Sequence, residues 1–286
     1  MRQQNLKSKI FIDGGDPQES REAKKLLGFI DGQTTNPTLI SKNPIVQKRL
    51  RESKKFTEKE AYQFYKEVVV ELAEITDGPI SIEVYADHDT SADKMLSQGR
   101  KMFTWIPNAY VKFPTTKAGL EAASQAVKEG IRVNMTLCFS QEQAAAVYAA
   151  TAGTKEPAFI SPFVGRLDDR GENGMDLIKN ILKMFKESDG HVLTLTASVR
   201  NINHLLYAIK LGSPLITIPF KVFTEWIDKD FPLPDKNFEY NPKGLKKISY
   251  KEVSLNKPFD QYNIRHDLTD AGIEKFSDDW NQLVQN

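Results

Sequence analysis

Cysteine is almost missing from this chain. Cys138 stands alone among 286 residues, which excludes an internal disulfide and the thiolate clusters of structural zinc sites. Histidine is scarce too: His88, His191, His204 and His266 are scattered, without the spacing of a metal-ligating set. Neither sign of charge is in excess, since 39 basic residues meet 38 acidic ones for a formal charge of +1. No global field would therefore hold nucleic acid or an acidic membrane, although local basic spots can still bind phosphate. No apolar run approaches membrane-spanning length, and Met1 to Ser8 carries charges without the apolar segment of a signal peptide. The expectation is a cytoplasmic protein. The sequon Asn134-Met135-Thr136 lies in an apolar strand, where a glycan is not expected.

What is present is the balance of a globular protein able to bury a large core, with 40% hydrophobic and 27% charged residues. Lys9–Asp13 reads as a strand, Gly14-Gly15-Asp16-Pro17 as a turn, and Glu19–Leu27 as a helix. Phe29–Gly32 leads into Gln33-Thr34-Thr35-Asn36-Pro37, polar residues at the carboxyl end of a second strand, before a helical start at Thr38. Lys42–Phe56 is a basic connection. Thr57–Thr76 is a helix whose Thr57 and Glu60 form a capping-box pattern. Strands follow at Pro79–Tyr85, at Ala109–Thr116, at Ile131–Leu137, at Ala158–Gly165, at His191–Ser198 and at Leu215–Phe220. Helices fall between them, and Lys221–Lys229 is the last of the repeat.

Eight strands alternating with helices imply parallel pairing with right-handed crossovers, hence an α/β fold of the (β/α)8 or TIM-barrel type. An open doubly wound sheet is the alternative, but no G-x-G-x-x-G or Walker pattern follows the first strand. We expect one domain over residues 1–286. Within it, 231–286 is a carboxyl-terminal extension, irregular from Phe231 to Tyr262 and helical from Thr269 to Val284, packing on the barrel or on a partner subunit.

One lysine, Lys112, interrupts an otherwise apolar strand. An ammonium there either snorkels to water or sits in a site, and a desolvated lysine is a nucleophile toward carbonyl carbon. Other polar residues recur at strand ends: Asp13, Asn36, Glu83, Asn134 with Thr136, Ser161 with Arg166, and Ser198 with Arg200. In a barrel these ends converge on one face. Singly, each has a plain structural explanation: Asp13 as a helix cap, Asn36 as a turn residue, Arg166 as a loop ion pair. Together they supply a nucleophile, two carboxylates for proton transfer and two guanidinium groups for a phosphate. A serine-hydrolase reading fails for want of a G-x-S-x-G elbow.

The segments that carry these residues resemble the transaldolase family of class I, Schiff-base-forming aldolase barrels, over nearly the whole chain. The matching runs are Asp31–Pro37, Ser81–Val84, Val111–Pro114, Val133–Leu137, Ile160–Arg166, Thr196–Asn201 and His266–Asp270. The resemblance implies Lys112 as the Schiff-base lysine, Asp13 and Glu83 as acid/base carboxylates, and Thr136 as the holder of a catalytic water. It implies Asn36, Asn134 and Ser161 as substrate-placing groups and Arg166, Ser198 and Arg200 as the phosphate site. It further implies transfer of a dihydroxyacetone unit between sugar phosphates in the pentose phosphate pathway, with no metal or organic cofactor. Phe163 stands where the fructose 6-phosphate aldolases of the family carry tyrosine, which favours transfer over release. Thr38, Phe113 and Val199 depart from common family residues and bear on packing and substrate shape. The carboxyl-terminal helix resembles that of longer, often dimeric members, so a homodimer is one assembly open to the chain. The alternatives are a fructose 6-phosphate aldolase and a catalytically silent barrel that binds sugar phosphates.

Overall fold

The computed structural model describes residues 3–285; positions 1, 2 and 286, part of the expected domain span, lie outside the described residues. Its first half runs β1 (Lys9–Asp13), α1 (Pro17–Leu27), β2 (Gly32–Thr34), α2 (Pro37–Ser41), α3 (Pro44–Arg51), α4 (Glu58–Ile75), β3 (Ile80–Glu83), α5 (Ala92–Phe103), β4 (Ala109–Pro114) and α6 (Lys117–Lys128). It continues with β5 (Val133–Cys138), α7 (Gln141–Ala150), β6 (Ala158–Pro162), α8 (Val164–Asp169), α9 (Gly174–Met184), β7 (Val192–Thr196), α10 (Ile202–Lys210), β8 (Leu215–Ile218), α11 (Phe220–Asp228) and α12 (Asp267–Leu283). The eight strands close in sequence order into a parallel barrel, β8 pairing back to β1.

Local chemistry sets the boundaries. Asp16 caps α1, Pro17 occupies its first turn, and Gly28 ends it in the left-handed region at φ 85°. Thr57 and Glu60 cap α4 reciprocally, as the sequence pattern predicts. Two expectations are corrected. The second strand is Gly32–Thr34, so it starts later than Phe29 and consists largely of the polar run expected at its end, because the ladder pairs Phe11 with Gly32 and Asp13 with Thr34. The buried Gln33 is satisfied by the Gly14 carbonyl and the Ser20 hydroxyl, so polar residues are accommodated there. The basic connection also holds a helix, α3, whose cap is Asn43 and whose first residue is Pro44.

The barrel interior changes character from one end to the other. Tyr110 of β4 stacks on Phe159 of β6 at 4.1 Å, and Phe159 meets Phe11 of β1 edge-on at 6.3 Å. These rings fill the amino-terminal half. Strand residues alternate in direction, so Lys112, Ser161 and Asp13, two positions further on, face inward in the next layer up. Glu83 and Asn134 flank Lys112 in register on the neighbouring strands. An apolar floor thus supports a polar layer at the carboxyl-terminal face.

The extension crosses the outside of the barrel before returning to that face. Residues 231–266 are largely irregular and are tied down by Gln141, which exchanges two hydrogen bonds with the backbone of Lys251, and by Asn180, which donates to Ile248. Helix α12 then packs beside α2 and β5. Asp279 accepts from Thr38, and Thr269 donates to the Leu137 carbonyl at 2.9 Å.

Candidate active site

Lys112 and Glu83 form a buried ion pair with Nζ and Oε2 2.8 Å apart, their side chains only 3% and 4% exposed. The strand register forces the meeting, since the two residues are Cα partners in adjacent strands with the same inward orientation. Lys112 also donates to the Thr35 carbonyl at 3.0 Å. Burial pushes the Glu83 carboxyl up from its ordinary value, opposed by the adjacent Lys112 charge and the more distant Arg166. The result is a carboxylate that is more basic than an exposed one.

Asp13 stands at the end of β1. It is not a helix cap, a role that Asp16 takes; it accepts a hydrogen bond from Thr34 at 2.7 Å instead, and Thr34 touches Thr217 at 2.6 Å. Burial raises its carboxyl from the ordinary value, against the lowering effect of Lys112. Two carboxyl groups with raised proton affinity therefore border one lysine, the pattern of groups set up to move protons.

On β5 and β6 the polar side chains form a chain of contacts. Ser161 donates to Asn134 Oδ1 at 2.8 Å, and Asn134 Nδ2 donates to Ser81 at 3.0 Å, which fixes the direction of the amide. Thr136 is fully buried, yet its Oγ1 has no hydrogen-bond partner among the described residues. A buried hydroxyl left open in a polar layer is suited to a water or a substrate oxygen. Asn36 serves as the N-cap of α2, its Oδ1 accepting from Leu39 at 2.9 Å. It stays beside Thr35 at the rim.

The two arginines lie on neighbouring connections, Arg166 after β6 and Arg200 after β7. Arg166 does not close a strand but sits on the short helix α8, its guanidinium 5.5 Å from the centre of the Phe163 ring and 5.1 Å from that of Phe276 on α12. It forms no ion pair among the described residues, so the loop-pair explanation does not apply. Burial lowers its guanidinium from the ordinary value, an effect to which Arg200 adds and which Glu83 opposes; it stays charged. Arg200 is half exposed and pairs with Asp169 at 2.8 Å. A Cβ at Gly165 would collide with the Ser198 carbonyl and the Arg200 side chain, and one at Gly272 of α12 would lie 2.7 Å from Arg166 Nη1. Glycine at both places lets the loops and α12 close around the arginines. Ser198, at φ 57°, and Leu137, at φ 59°, take left-handed conformations unusual for residues with a Cβ, on either side of this region.

Several contributors escape a reading of the sequence. Thr35 acts through a backbone carbonyl, and Thr34 and Ser81 contact Asp13 and Asn134; the polar run at the end of β2 is the only signal for the two threonines, and Ser81 sits unmarked in β3. Phe276 and Asp169 complete the surroundings of the arginines. Tyr65 of α4, hydrogen bonded to both Thr35 and Glu83, occupies a core-facing helical position that nothing in its spacing distinguishes.

Comparison with known proteins agrees with the family resemblance. The family model described as transaldolase/fructose-6-phosphate aldolase matches residues 10–286. A probable transaldolase of Herpetosiphon aurantiacus is 35% identical over 275 residues, covering 96% of either chain. One from a Roseiflexus species is 36% identical over 276 residues, 96% of this chain and 98% of that one. Probable transaldolase 2 of Listeria monocytogenes is 38% identical over 245 residues, 85% of this chain and 99% of its own. Among solved structures, a phosphoenolpyruvate phosphomutase from Streptomyces platensis aligns with a TM-score of 0.51 at 11% identity, over 78% of this chain and 80% of that one. That match speaks to the barrel fold alone.

Proposed function

The chain belongs to the transaldolase/fructose-6-phosphate aldolase family, and on that premise we propose that it is a cytoplasmic transaldolase acting through a Lys112 Schiff base. The observation that carries this reading is the buried Lys112–Glu83 contact of 2.8 Å in a polar layer over an aromatic floor. The donor is a ketose phosphate such as fructose 6-phosphate or sedoheptulose 7-phosphate, and the acceptor is erythrose 4-phosphate or glyceraldehyde 3-phosphate, as in the pentose phosphate pathway.

Glu83 takes a proton from the Lys112 ammonium, and the neutral Nζ attacks the ketone carbon to give a carbinolamine. Proton transfer through a water at Thr136 Oγ1 lets hydroxide leave as water, forming an iminium. Asp13 removes the C4 hydroxyl proton, the C3–C4 bond breaks, and its electron pair moves onto the iminium to make an enamine. The aldose phosphate departs, a second aldose phosphate enters, and the steps run in reverse. Arg166, Ser198 and Arg200 hold the phosphate of each, the phosphate competing with Asp169 for Arg200. Asn36, Asn134 and Ser161 place the sugar hydroxyls.

Transfer is favoured over release because Phe163 presents no hydroxyl to orient water at the enamine stage. The test is incubation with fructose 6-phosphate and borohydride, which should leave one reduced adduct in the peptide containing Lys112, with activity lost in parallel. Lys112→Arg should give neither adduct nor turnover. Sugar binding without any adduct would support a silent barrel, and rapid release of dihydroxyacetone without acceptor would support an aldolase.

A further inference from the structure

We propose that Tyr65 is a positioning residue for the Lys112–Glu83 pair, an inference that rests on the Schiff-base reading above. The hydrogen bonds around its hydroxyl admit one consistent direction. Thr35 Oγ1 spends its single proton on the Ser81 carbonyl at 2.7 Å, so in its 2.6 Å contact with Tyr65 it accepts. The Tyr65 hydroxyl therefore donates to Thr35, and its oxygen accepts the Glu83 backbone N–H at 2.9 Å. One phenol thereby ties the backbone that carries Glu83 to the residue whose carbonyl holds Lys112 Nζ. Tyr65 is fully buried, and burial raises its hydroxyl well above the ordinary value, which keeps the donating proton in place. Its ring is held 5.8 Å from Trp105 and 6.2 Å from Trp280 of α12.

Tyr65→Phe keeps that ring and removes both bonds. Small displacements of reacting groups cost large factors in rate, so kcat falls roughly 10- to 100-fold. KM stays within about twofold, because the phosphate arginines sit on other elements. Thr35→Val cuts the same link, and the double variant falls no further than the worse single one. A second readout needs no transfer reaction: reductive capture of dihydroxyacetone by Lys112 with cyanoborohydride, followed by mass spectrometry, slows by a similar factor in Tyr65→Phe. A role confined to stability would lower the unfolding temperature and leave kcat and capture unchanged, which would overturn the inference while the Schiff base stands. Additive losses in the double variant, or a raised KM at unchanged kcat, would overturn it as well. Slowed capture in a protein that transfers nothing between sugar phosphates would refute the proposed reaction and retain Tyr65. Absence of capture in the wild type would end both.

Discussion

Replacing Lys112 by methionine tests the electrostatics of the barrel interior without any assay of activity. The side chain is nearly the same size, but Glu83, 4% exposed, loses its counter-ion. Breaking one half of a buried pair costs about 3–5 kcal/mol when the remaining group must stay charged. Glu83 escapes that cost by taking a proton, and its folded carboxyl already lies above the ordinary 4.5 because of burial, with Lys112 the main opposing influence. Removing Lys112 raises it further. Between 4.5 and the raised folded value the native state binds more protons than the unfolded one, so stability declines as pH rises, by about 1.4 kcal/mol for each pH unit that separates the two values. Lys112→Met should thus lose little against wild type at about pH 5 and approach the full 3–5 kcal/mol at about pH 8. Adding Glu83→Gln removes the charge and should recover most of the loss at the higher pH. Urea unfolding midpoints of the three proteins at the two pH values decide the matter. A loss independent of pH, or a double variant as unstable in alkaline buffer as Lys112→Met, would refute the reasoning.

Other perturbations separate the remaining roles. Arg166→Ala and Arg200→Ala should each raise KM for phosphorylated donors about 10-fold or more, the scale of a lost charge-assisted hydrogen bond, with little effect on unphosphorylated ones; unchanged discrimination between donors would sink the assignment. Asp13→Asn should lower kcat about 10²- to 10⁴-fold, as for a lost general base, while the Lys112 adduct with fructose 6-phosphate still forms, because Asp13 acts after the imine; steady-state kinetics and mass spectrometry read both. Phe163→Tyr should increase acceptor-independent release of dihydroxyacetone, and a release rate equal to wild type would remove Phe163 as the reason for transfer.

The barrel was legible because each repeat carries its own punctuation: the Asp16-Pro17 start of α1, the Thr57–Glu60 box of α4 and the regular return of apolar strands. Where polar residues form the strand itself, as at Gln33-Thr34, the apolar pattern misplaces its start, since the pairing that satisfies them lies in other segments. The α3 signal, Asn43-Pro44, was masked by basic composition. In the site, Lys112 and Glu83 stand out because a charge in an apolar strand is conspicuous. Thr35 contributes a main-chain carbonyl and Tyr65 a hydroxyl on an apolar helix face, and neither alters the pattern. The contact of Phe276 with Arg166 joins segments far apart in the chain, and only the closed barrel makes them neighbours.

The packed rings of Phe11, Tyr110 and Phe159 turn the barrel into a vessel with a stopper. On the proposed reaction, sugars, leaving aldoses and the water lost at imine formation would all pass the strand-end face that α12 borders. The departing and entering aldose phosphates of that reaction would call on the same Arg166 and Arg200, so the first would have to clear before its successor binds. Such traffic would alternate, and excess acceptor should then compete with the donor for that site and slow turnover.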